Sequence, residues 1–241
     1  MPLDQQNGMA ESLPIVLIPG LLCSPRLYAD QLPALWRFGA VTVADHTRDD
    51  SVAGIARRLL ASAPQRFALV GLSMGGYTAF EVMRVAPGRV ARLALLDTSA
   101  LADVPAQSER RRAQIALARS GRFAEVLEPL FVSWVHRSRR TDEILKQLVG
   151  RMAEETGPDG FVRQQMAIMT RPDSRRDLAA IRCPTLVLVG DGDEATPPER
   201  AAEIATGIQG SRLVTIPECG HLSTLERPEP VTRALVEWLE A

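Results

Sequence analysis

The chain has 241 residues, 46% of them hydrophobic, and a formal net charge of -1 from 28 basic and 29 acidic side chains. That is enough apolar material for one sizeable core, and the scattered charge gives no stripe suited to nucleic acid or an anionic membrane. Three cysteines, Cys23, Cys183 and Cys219, are too few and too unpatterned for a disulfide framework or a zinc site.

Residues 1 to 12 are polar and read as loose chain or a partial edge strand. The apolar run Leu13 to Cys23 is too short to span a bilayer, and the acidic Asp4 and Glu11 precede it where a signal peptide would be basic. A soluble, cytoplasmic protein is expected. Leu13 to Ile18 predicts a buried strand ended by Pro19-Gly20, followed by a helix carrying Leu27, Leu32 and Leu35. Ala40 to Ala44 predicts the second strand, Ala53 to Ala63 a helix, Phe67 to Val70 the third strand, Thr78 to Ala86 a helix, and Arg92 to Leu96 the fourth strand. Strands alternating with helices at this spacing call for a parallel sheet covered on both faces.

From Ser99 to about Leu178 the strand signal disappears. Phe123, Val126, Leu127, Leu130, Phe131 and Trp134 fall on one helical face, with Pro129 expected to kink or split that helix. Ile144 to Met152 repeats the pattern, and Gly160 to Thr170 offers Val162, Met166 and Met169. Residues 99–178 are therefore expected to form a helical insertion lying over a core made of 1–98 and 179–241. The alternation resumes with strands over Thr185 to Val189 and Arg212 to Ile216, and helices over Pro198 to Ala205 and Glu229 to Leu239. Arg110-Arg111-Arg112, Arg137 and Arg139-Arg140 read as solvated helix faces.

Chemistry is suggested where the third strand ends. Gly71-Leu72-Ser73-Met74-Gly75 joins strand to helix through a turn in which a Cβ at either glycine would collide with its neighbours, leaving the Ser73 hydroxyl proud of the sheet edge. A serine is a poor nucleophile until a base takes its proton, so an imidazole is needed. His136 reads as a surface residue and His46 as a loop residue that could line a cleft. His221, just after the last strand in Glu218-Cys219-Gly220-His221-Leu222, is the strongest base. A carboxylate must hold its other nitrogen, and Asp193, Asp191, Glu194 and Asp97 compete for that place.

The order Ser73, Asp193, His221, each following a strand, resembles the α/β-hydrolase fold, and in particular its small capped bacterial carboxylesterases. Three motifs carry the resemblance: Gly71 to Gly76, Gly190 to Pro198, and Gly220 to Pro228. It implies that Asp193 is the acid, that residues 99–178 are the cap, and that the amides of Leu21 and Met74 form an oxyanion hole. It also implies a small-molecule ester as substrate, with no cofactor and no metal. The chain departs from the family in having Pro19-Gly20 where His-Gly is usual, and in having too short a start for the leading antiparallel hairpin, so a smaller sheet is expected. A pocket with few charges, lined by Trp134, Leu130, Met166 and Met169, would suit a modest apolar ester. The same fold hosts amidases, peptidases, acyltransferases, lyases and cofactor-free haloperoxidases, and a non-catalytic binder is the remaining alternative. Oligomeric state is not legible, and Cys23 and Cys219 read as small buried hydrophobes.

Overall fold

A computed structural model of the protein describes residues 12–241. The expectation for the first twelve residues lies, but for the last of them, outside the described residues. Six strands form one sheet: β1 (Ile15–Ile18), β2 (Val41–Val43), β3 (Phe67–Leu72), β4 (Val90–Leu96), β5 (Thr185–Gly190) and β6 (Arg212–Ile216). Their order is β2-β1-β3-β4-β5-β6, and every pairing is parallel. The inner strands β1, β3 and β5 are buried along their whole length, whereas the edge strands β2 and β6 are partly exposed. This is the pattern of a sheet sandwiched between helices.

Alternate strand residues feed two cores. Ile15, Leu17, Val70, Leu96 and Leu188 belong to one, and Val16, Ile18, Leu69, Leu95 and Val187 to the other. Helices α2 (Val52–Ser62), α3 (Met74–Val85) and α7 (Pro198–Gly207) supply the second core with Leu59, Val82 and Ile204. The first core is closed by α9 (Pro228–Glu240), through Leu235 and Trp238, and by the helices between β4 and β5. Those helices are α4 (Pro105–Arg119), α5 (Ala124–Trp134) and α6 (Glu143–Met169). Phe131, Met152, Phe161 and Ile168 pack into the same cluster as the sheet residues, so the segment between β4 and β5 shares its core with the sheet.

One local expectation is corrected. The single helix through Leu27, Leu32 and Leu35 is instead a 3-10 turn, Pro25–Tyr28, and a four-residue α1 (Leu32–Leu35), since Pro25 and Pro33 each start a new turn. Pro129 does not split α5. The carbonyl it leaves unbonded is that of Glu125, an exposed residue in the first turn where water can serve. The two segments expected over residues 144–152 and 160–170 are both helical and are separate, because α6 breaks between them at Gly157 (φ 68°), ahead of Pro158. The short α8 (Ser223–Glu226) completes the set.

The chain runs from β1 out to β2 and then returns to place β3 on the other side of β1. That reversal opens a crevice at the carboxyl ends of β1 and β3, where open α/β sheets bind their ligands.

Candidate active site

Ser73 stands between β3 and α3 with no intervening residue, at φ 54° and ψ -113°. This is costly backbone for a residue with a Cβ, on the order of 1–3 kcal/mol, and it is held from several directions. Its amide donates to the Leu96 carbonyl at 2.9 Å, and its carbonyl accepts from Thr98 Oγ1 at 2.8 Å and from the Gly76 amide at 2.9 Å. A Cβ on Gly75 would strike the Ile18 carbonyl, and one on Gly71 the Gly75 backbone, so the two glycines let the turn close.

The other two residues of the constellation arrive on the same edge. His221 Nε2 lies 2.8 Å from Ser73 Oγ, and His221 Nδ1 lies 2.8 Å from Asp193 Oδ2. Asp193 is buried and saturated. Its Oδ1 accepts the amides of Ala195 and Thr196, both at 2.8 Å, and its Oδ2 accepts Thr196 Oγ1 at 2.7 Å. Burial pulls the pKa of His221 down, but the charge and hydrogen bond of Asp193 more than offset this and leave it above the ordinary 6.5.

The competing carboxylates have other employment. Asp191 accepts the Cys219 amide at 3.1 Å, and Glu194 receives Arg140 Nη2 at 2.8 Å on both oxygens. Asp97 is fully buried at the end of β4, where it accepts the Gly190 amide at 3.0 Å and bonds Ser223 Oγ. Burial, and then the charge of Asp193, drive its pKa well above the usual carboxylate range.

Glu226 was missed by sequence reasoning, although it lies in the Gly220 to Pro228 motif. Its buried carboxylate accepts the amides of Gly220 (3.1 Å) and Leu222 (3.2 Å) on one oxygen and that of His136 (2.8 Å) on the other. It thereby clamps the loop on both sides of His221, whose own amide donates to the Trp134 carbonyl at 2.6 Å. His136 is half-buried here rather than on the surface, with its ring against Gly192.

The amides of Leu21 and Met74 have no protein acceptor among the described residues. The loop that carries Leu21 is fixed by its neighbours. Leu22 adopts φ 58° and donates to Gln164 Oε1 at 3.0 Å, while Cys23 N bonds the Gly20 carbonyl at 3.1 Å. His46 does not line the cleft. It is buried, its pKa lowered mainly by burial, and its Nε2 donates to the Gly20 carbonyl at 2.8 Å, which ties the end of β2 to the loop that follows Pro19. Cys23 lines the cavity, but burial pushes its thiol up to about 12 and it donates to the Leu21 carbonyl. Cys219 is likewise raised, chiefly by burial.

A cavity of about 750 Å³ opens over Ser73 and His221. Leu130 and Trp134 line it as expected; Met166 and Met169 do not. On α6 the inward face instead carries Gln164, Ile168 and, just past the helix, Arg171, at helical spacings of four and three, which leaves the two methionines half-buried beside it. The expectation of few charges is also corrected. Arg110, Arg111, Arg171 and Arg200 line the cavity together with Asp103, Glu194 and Glu199, so Arg110 and Arg111 are not merely a solvated face. Among the described residues no cluster of His, Cys, Asp and Glu is arranged to hold a metal, and no helix is long and apolar enough to cross a membrane.

Known proteins resemble this chain. The chain is 29% identical over 213 residues to a pimeloyl-[acyl-carrier protein] methyl ester esterase of Chromobacterium violaceum, covering 86% of this chain and 79% of that one. It is 25% identical over 213 residues to a 2-hydroxy-6-oxononadienedioate/2-hydroxy-6-oxononatrienedioate hydrolase of Paraburkholderia xenovorans, covering 85% and 73%. A malate-bound thermophilic esterase from Thermogutta terrifontis superposes with a TM-score of 0.86 at 31% identity, over 95% of this chain and 89% of the other. Residues 15–234 match the family model described as the alpha/beta hydrolase family, and with the sheet order and strand-end site above, the chain belongs to that family.

Proposed function

We propose that this hydrolase cleaves a carboxylic ester of a small molecule through an acyl-enzyme, with Ser73 as nucleophile, His221 as general base and acid, and Asp193 as the carboxylate that orients His221. One observation carries the reading: the unbroken line from Ser73 Oγ to His221 Nε2 and from His221 Nδ1 to Asp193, both links at 2.8 Å. Esterases among its relatives support it.

In the first half-reaction Ser73 Oγ bonds to the carbonyl carbon as His221 Nε2 takes its proton, and the carbonyl electrons move onto oxygen. The unpartnered amides of Leu21 and Met74 are suited to hold that oxyanion. The C–O bond to the alcohol then breaks, with the proton passing from His221 to the leaving oxygen. Water repeats the sequence on the acyl-enzyme, giving the carboxylic acid and restoring Ser73. Residues 99–178 serve as a cap that closes the cavity over the substrate.

Ser73→Ala tests this directly. Hydrolysis of p-nitrophenyl butyrate is expected to fall at least about 1,000-fold while the thermal midpoint stays nearly unchanged. Turnover at the wild-type rate would remove Ser73 from the mechanism. A fluorophosphonate that fails to label Ser73 would instead favour a non-catalytic binder.

A further inference from the structure

The charged wall of the cavity is built around a carboxylate shared between two guanidinium groups. Asp103, its side chain 1% exposed, meets Arg171 Nη1 at 2.6 Å through one oxygen and Arg111 Nε at 2.7 Å through the other. Arg171 is fully employed. Its nitrogens also donate to the carbonyls of Leu101 and Ile168, and its guanidinium sits 4.1 Å from the centre of the Tyr77 ring. Arg111 differs. Its Nη1 donates to Gln165 Oε1 at 2.8 Å, Gln165 in turn donates to Gln114, and its Nη2 has no acceptor among the described residues.

One carboxylate thus serves two cations. The surplus positive charge resides on Arg111, whose side chain is only 19% exposed and lines the cavity. Arg110 lines the same wall with no ion pair among the described residues. The remaining acids of the lining lie elsewhere: Glu194, already held by Arg140, in the loop after β5, and Glu199 at the start of α7. A guanidinium that is partly desolvated, fixed by Asp103 and Gln165, and left with a free donor is preorganised for a planar anion.

We propose that Arg111, seconded by Arg110, is a subsite for a carboxylate carried by the substrate, so that the ester cleaved is an anionic one such as a half-ester of a dicarboxylic acid. This deepens, and rests on, the reading of Ser73 as nucleophile. The carboxylate can belong to the acyl or to the alcohol portion, and two substrate pairs separate these: mono-p-nitrophenyl adipate against its neutral primary amide, and 4-carboxyphenyl butyrate against 4-carbamoylphenyl butyrate.

In the wild-type enzyme one pair is expected to favour the carboxylate by about tenfold or more in kcat/KM, and in Arg111→Gln that ratio is expected to fall toward one. The variant leaves Asp103 paired with Arg171, so no buried charge is stranded. The wild-type ratio needs no variant at all. Equal use of both members of each pair, or a preference that survives in Arg111→Gln, would overturn the subsite while leaving the esterase reading intact. Should no ester turn over, the esterase reading fails, and calorimetric binding of adipate still decides the subsite: at least about tenfold weaker binding to Arg111→Gln supports it, and equal binding overturns it.

Discussion

The carboxyl edge of the sheet and the helical wall that shares its cavity differ in what holds their polar groups. At the sheet edge, Ser73, Asp193 and the His221 loop are fixed by backbone: strand ends, turn amides and the glycines that allow close approach. On the helical wall the polar groups are held through side chains that reach far along the chain: Arg111 to Gln165 across 54 residues, and Gln164 to the Leu22 amide across 142. Backbone positioning is rigid and tolerates little substitution. Side-chain positioning can be retuned one residue at a time, which is the division expected if the first wall performs the proposed reaction and the second selects its substrate.

The largest effect should therefore come from the sheet edge. Asp193→Asn keeps the shape but reverses a hydrogen bond, which favours the tautomer of His221 with no free lone pair toward Ser73. A loss in kcat on the order of 1,000- to 10,000-fold is expected against p-nitrophenyl butyrate, with KM nearly constant. A loss under tenfold would mean that another carboxylate orients the imidazole, and Asp97 is the one at hand.

The same division explains what was legible in the sequence. All six strands, and the order Ser73, Asp193, His221 along their ends, announce themselves because short apolar runs bounded by glycine, proline or aspartate have few alternative structures. The inward face of α6 did not announce itself. Its cavity-side and core-side groups, Gln164, Gln165 and Arg171, are polar, so apolar periodicity pointed to Val162, Met166 and Met169 instead. Arg111 looked like any member of a three-arginine run. Only its partner Asp103, eight residues away, and Arg171, sixty residues on, distinguish it from solvated neighbours, and no local pattern encodes that meeting.

An intermediate effect is expected where the two regions touch. Gln164 reaches from α6 to the amide of Leu22, which adopts the left-handed conformation next to Leu21. Gln164→Leu removes the acceptor from a buried amide, a cost of about 1–3 kcal/mol, and frees a strained loop. If Leu21 stabilises the oxyanion, kcat should drop about 10- to 100-fold with little change in KM, and Gln164→Glu, which still accepts, should recover most of it. A drop in thermal midpoint with kcat unchanged would reduce Gln164 to packing.

The smallest effect should come from Asp97, and it sharpens the assignment of the acid. Because the pKa of His221 is raised and the base must be neutral, kcat/KM is expected to rise with pH and reach half its maximum above 6.5. Asp97→Asn keeps the acceptor for the Gly190 amide and can still bond Ser223. Ionised Asp97 favours the imidazolium, so the acid limb should move to lower pH where Asp97 carries its charge and stay in place where burial keeps it protonated, with the plateau within about tenfold of wild type in either case. A limb that moves upward, or a plateau lost as completely as in Asp193→Asn, would transfer the orienting role from Asp193 to Asp97.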